Sequence, residues 1–234
     1  RIGDAISAID RELENTSTGY VSEEREQLCL LKGIILGANS ESGRIALKTL
    51  ILNGRSRETM GIALQLLARV SNQDADLLNF LKVVLSRNES HLLQGQMYYL
   101  RSQLAMKMAQ QGSVEERAGL MAIAESDART LLDQFPGLSP ITNVYRLLAY
   151  AALERQPAQY RAAADFLIQL RDQSRESEDF VEVNRLIGDC YFLNSDFANA
   201  VDFYSAADSR GVGSPRDGEL FLRLISAQVR AGLI

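Results

Sequence analysis

Few residues in this chain have both the type and the spacing to do chemistry. His91 is the only histidine, so any histidine-based triad would have to use it. It stands beside Ser90 at the start of a predicted helix, where a capping role is the simpler reading. The paired carboxylates Glu23–Glu24, Glu115–Glu116 and Glu178–Asp179 fall in the first turns of predicted helices, where negative charge complements the helix dipole. Cys29 and Cys190 are about 160 positions apart and read as small buried hydrophobes. With no CxxC and no ligand-spaced cluster, neither a metal nor a cofactor is expected. Gly211 and Gly213 precede Ser214–Pro215 in a linker context rather than between a strand and a helix, so they do not make a phosphate loop. Tyr98, Tyr99, Phe203 and Tyr204 lie at core spacing and offer no base-stacking platform. What remains is a set of arginines: Arg146, Arg185 and Arg223 recur 39 and 38 residues apart.

Composition narrows the classes further. The chain has 234 residues, 46% of them apolar and 24% charged, enough to bury a sizeable core. Net charge is −5 with no block of like charges, which argues against a nucleic-acid partner. No run of 18 apolar residues occurs, so no membrane span is expected. Only four of the 25 basic residues are lysine, a bias that fits either genome composition or a need for arginine against carboxylates and aromatic rings. The chain begins at Arg1 rather than Met, so a leader, an anchor or an upstream domain could precede it, and the compartment is left open.

Positioning falls to helices. Strand and hairpin signals are almost absent, whereas helical periodicity is nearly continuous and predicts about twelve helices. Ile2, Ile6, Ile9 and Leu13 form one stripe; Leu28, Leu31, Ile34 and Ile35 line a second helix from Ser22 to Gly37. Gly33 and Gly37 there invite close backbone approach, and Gly54 is expected to end a third helix. Ser56 caps the fourth, and Leu77, Leu78, Leu81 and Val84 line the fifth. Ser113 with Glu116 reads as a capping box for the seventh. Ser139 caps the eighth, with Pro140 set for its first position. All four prolines (Pro136, Pro140, Pro157 and Pro215) sit at predicted helix ends.

The clearest helix pair is Val181 to Arg210. Ile187, Gly188 and Tyr191 share one face of its first helix; Ala200, Tyr204 and Ala207 share one face of its second, after a turn at Asn194–Asp196. Large residues opposite small ones at this spacing are what two close-packed antiparallel helices need. Val181 to Ser214 resembles a tetratricopeptide repeat on these residues. Asn184, Ile187, Gly188 and Tyr191 stand for the motif's Trp-like residue, Leu, Gly and Tyr; Ser195, Asp196 and Phe197 for its turn; Ala200, Tyr204 and Ala207 for its second helix. Asn184 departs by being polar, and the closing proline is displaced to Pro215. Tyr145, Leu148, Ala149 and Ala152, then Tyr160, Ala163, Leu167 and Leu170, fit a preceding unit; Leu222, Ile225, Ser226 and Val229 open a following one.

The resemblance implies an all-α fold, a right-handed α-solenoid of antiparallel helix pairs, with degenerate repeats over residues 1–135 and tetratricopeptide-like repeats over 136–234. It also implies a concave groove lined by the first helices, here by Arg146 and Tyr150, then Arg185, Asp189 and Phe192, then Arg223 and Arg230. Three guanidiniums along one wall would favour an acidic or carboxylate-bearing peptide, although Asp189 lies one turn from Arg185 and could simply pair with it. The carboxylate-clamp arrangement of this family is not expected, since Asp189 replaces its Asn and no lysine follows Lys107. The implied function is protein binding or scaffolding, without catalysis. The alternatives are a non-catalytic helical portion of a larger enzyme or envelope protein, and self-association through the last helix to give a homo-oligomer.

Overall fold

The computed structural model describes residues 2–14, 22–70, 73–87, 91–138, 141–173, 179–210 and 218–234. Among them are twelve helices and no strand, so the fold is all-α. Ser90, the Ser139–Pro140 cap, Glu178 and the 211–215 linker lie outside the described residues. The chain forms two compact units, residues 1–111 and 112–234.

The first unit holds α1 (Ile2–Glu14), α2 (Ser22–Leu36), α3 (Glu41–Asn53), α4 (Arg57–Ala68), α5 (Asp74–Arg87) and α6 (Gln94–Gln111). Ser40 and Ser56 cap α3 and α4 by accepting from Gly43 N and Thr59 N. Leu47, Leu50, Ile51, Met60, Ala63 and Leu81 form the heart of the core. Packing corrects the stripe expected on α2: Leu31 and Ile34 are exposed, whereas Glu26 and Gly33 turn inward. The reason is a buried carboxylate. Glu26 accepts from the Arg55 and Ser56 backbone amides at 2.6 and 2.9 Å and from the Thr59 hydroxyl at 3.0 Å, which seats α2 on the first turn of α4. Gly33 makes room for a side chain rather than a backbone, since a Cβ there would meet Leu47 at 2.5 Å. Gly54 does end α3, but with φ −70°, outside the left-handed region; a Cβ would strike Leu50 O and Met60.

The second unit holds α7 (Val114–Gln134), α8 (Ile141–Leu153), α9 (Tyr160–Gln173), α10 (Phe180–Leu193), α11 (Phe197–Arg210) and α12 (Gly218–Arg230). Ser113 caps α7 by accepting from Glu116 N. Each helix packs chiefly on its neighbours in sequence, and one apolar cluster runs from Ala149 and Ala152 through Leu167, Ile187, Tyr191 and Tyr204 to Leu224 and Ala227. Tyr204 lies over Gly188, where a Cβ would come within 2.5 Å of its ring. The α10–α11 turn closes by hydrogen bonds from Ser195 N to Phe192 O and from Asp196 N to Tyr191 O, with Ser195 at φ +61°. Asp196 then caps α11 through Asn199 N.

Candidate functional site

α8, α10 and α12 alternate with α9 and α11 along the chain, and polar bridges link α8 to the start of α10 and α10 to α12. Arg146 of α8 donates to Asp179, just ahead of α10, at 2.9 Å. Arg223 of α12 donates to Asp189 of α10 and, at 2.6 Å, to Glu219 one turn back on its own helix. The structure therefore brings Arg146, Tyr150, Arg185, Asp189, Phe192 and Arg223 onto linked helices within one unit.

Their charges are arranged differently from the expected wall of guanidiniums. Each arginine already has a carboxylate: Arg146 has Asp179, Arg185 has Glu182 at 2.8 Å, and Arg223 has Asp189 and Glu219. Asp189 does not bond Arg185. One of its oxygens takes the Tyr204 hydroxyl at 2.6 Å and the other takes Arg223, because Tyr204, seated over Gly188, carries its hydroxyl to that point. Burial and the hydrogen bond to Asp189 push the Tyr204 phenol well above its ordinary range. The bonds to Asp189 and Glu219 hold Arg223 more firmly protonated than usual, and Glu182 does the same for Arg185. The Nε of Arg185 is buried with no hydrogen-bond partner.

Two apolar-floored pockets open between these helices. The first, about 150 Å³, lies between α8 and α10 over Ala149, Leu153, Leu167 and Leu186, with Tyr150, Arg146, Asp179 and Glu182 at its edge. The second, about 580 Å³, lies between α10 and α12 over Phe192 and Tyr204, flanked by the exposed Leu193 and Leu222 and lined also by Asp189, Glu219 and Arg223. Tyr150 is 46% exposed. Phe192 is half-buried: it packs edge-on to Phe197 at 5.3 Å, and Arg230 covers both rings at 5.1 and 5.5 Å. On α12 the motif positions Leu222 and Val229 are exposed, whereas Leu220, Leu224 and Ala227 carry the packing.

Elsewhere, the reactive side chains are committed to structure. His91 is buried; its Nδ1 accepts from Leu93 N at 3.1 Å, so the Nε2 proton goes to Ile51 O at 2.9 Å. Burial pushes the Cys190 thiol up to about 11 and raises Cys29 as well, away from the thiolate a nucleophile needs. Among the described residues no group of three His, Cys, Asp or Glu side chains is placed to hold a metal ion, and no helix is long and apolar enough to cross a membrane. The sequence reading missed Glu26 and Glu219, and it read Asp179 as a helix-dipole charge rather than as the partner of Arg146. Glu26 and its amide partners lie about 30 residues apart, and no local pattern marks such a pairing. No family model matches the chain, and no curated protein matches it either.

Proposed function

We propose that this chain is a protein-binding module of the tetratricopeptide kind, a right-handed α-solenoid whose first-helix face receives a segment of a partner protein. The observation that carries the reading is the pair of apolar-floored pockets, repeated between α8 and α10 and again between α10 and α12. Stacked helix pairs expose their first helices side by side, and an apolar floor ringed by a few polar groups is the usual make-up of a binding site. Two further features support kinship with that repeat: a tyrosine seated over a helix glycine, and a left-handed residue where the motif places its turn glycine.

The test is photo-crosslinking from single positions. A photoreactive residue in place of Tyr150 or Leu222 is expected to capture a partner protein, and one in place of the exposed Asp165 on α9 is not. Equal capture from all three positions overturns the assignment of the face.

A further inference from the structure

The longest helix of the second unit is packed along only part of its length. α7 has 21 residues, and α8, on which it packs, has 13. Arg117, near the start of α7, meets Glu154, just past the end of α8, at 3.1 Å, so the two run antiparallel. A helix rises about 1.5 Å per residue, and α7 therefore overhangs α8 by about 12 Å at its N-terminal end. Burial follows the overhang. Ala124, Asp127, Ala128 and Leu131 are buried, whereas none of residues 115–123 is, and Leu120, Met121 and Ile123 are only half-buried. Beside this stretch lies a cleft of about 700 Å³, with Ala118, Met121 and Ala122 on one wall and Ala151, Pro157 and Ala158 on the other. Two ion pairs cross it, Arg117–Glu154 and Arg155–Glu125, the second at 2.5 Å. Arg117, Glu154 and Arg155 are 42%, 40% and 46% exposed, and pairs this open to water hold weakly and are screened by salt. Gly119 weakens the same stretch. A Cβ there would meet nothing within 4 Å, so no close approach calls for a glycine that costs the helix stability.

We infer that the first half of α7, residues 114–123, is a conditional cover for this cleft: helical and closed while the two ion pairs hold, unwound when they are broken, with the second half of α7 staying packed. The second half is held by side chains removed from water, the first by two exposed charge pairs and a few half-buried apolar groups. Closing needs no new helix nucleus, because the packed half already supplies one and each further residue adds a backbone bond. Opening needs no unfolding elsewhere in the unit. It uncovers the wall at Ala151, which is buried in the closed form. Ionic strength therefore sets the balance between the two forms. The inference is independent of the groove reading, since no residue of the cleft belongs to α10 or α12.

The experiment is amide hydrogen exchange on the full chain at low and high salt, comparing residues 118–123 with 126–131 of the same helix. The first stretch is expected to exchange about tenfold faster than the second at low salt, after correction for intrinsic rates. High salt is expected to speed it a further three- to tenfold or so and to leave the second unchanged. Arg117→Gln with Arg155→Gln is expected to give that acceleration already at low salt and to abolish the response to salt. Gly119→Ala is expected to slow the first stretch alone, by about fivefold. Equal protection of the two stretches, acceleration of both together, or exchange in 118–123 indifferent to salt overturns the inference. Should the double variant melt early as a whole, the salt series on the parent chain and Gly119→Ala decide: an effect confined to 118–123 upholds the cover, and one shared by both stretches overturns it.

Discussion

Gly188 and Tyr204 show how much of the second unit depends on single residues. The missing side chain at Gly188 is the space the Tyr204 ring occupies, and the ring's placement carries its hydroxyl to Asp189. Gly188→Ala forces the ring out of a fully packed site, and overpacking of this kind costs about 1–3 kcal/mol. Urea unfolding is therefore expected to show a lower midpoint with an unchanged slope. An unchanged midpoint would mean that the ring moves aside freely. Both residues were legible in the sequence as a small–large pair. Asp189 was not: it was placed in the groove, with pairing to Arg185 at i+4 as the alternative, yet Glu182 holds Arg185 from i−3. Two acids at pairing distance on one helix look alike in sequence. The Tyr204 hydroxyl and Arg223, both distant in sequence, draw Asp189 away.

At the scale of elements, α12 is fastened to its neighbours by one apolar stripe and one polar link. Leu220, Leu224 and Ala227 pack inward, while Asp189 joins Tyr204 of α11 to Arg223 of α12. Tyr204→Phe keeps the ring over Gly188 and removes only the hydroxyl, so Asp189 loses one of its two donors. A net cost of about 0.5–1.5 kcal/mol is expected for that hydrogen bond. Native-state hydrogen exchange should show it as faster exchange in α10 to α12, with α8 and α9 unaffected. Arginine also binds elements together on the other helices. Arg129 of α7 stands over Phe166 of α9 at 5.8 Å, and Arg171 of α9 over Phe203 of α11 at 5.3 Å. These contacts agree with the reading of the arginine bias as a need for aromatic and carboxylate partners. α2 is the element least legible in sequence. Half of its expected stripe, Leu31 and Ile34, is exposed, because a buried carboxylate on another face decided which way the helix turned.

For the whole molecule, acid sensitivity follows from the same pairing logic. Burial alone would raise the Glu125 carboxyl, but hydrogen bonds from Arg155 and Arg129 outweigh it and hold the group below its ordinary 4.5. A depressed carboxylate binds fewer protons in the folded chain than in the unfolded one. Its stabilisation is complete above the ordinary value and is lost as pH falls through the lower, folded one. Glu125→Gln is thus expected to lower the melting temperature near neutral pH, and that deficit is expected to narrow as pH falls below the carboxyl's ordinary value. A deficit independent of pH would assign the loss to packing instead. By itself the sequence determined the helical class, the places where helices end and the small–large register of the α10–α11 pair, because periodicity, caps and glycines act over a few residues. It also placed the three arginines at one interval along the chain. Only the tertiary structure decided what those arginines face, which donors Asp189 serves, how Glu26 is buried and that the division into units falls at Gln111–Gly112. Apart from the short-range pairs Arg185–Glu182 and Arg223–Glu219, each of these depends on partners about 15 to 35 residues away or on the sum of all packing. Charge pairs at that range are chosen by where the backbone has already put them.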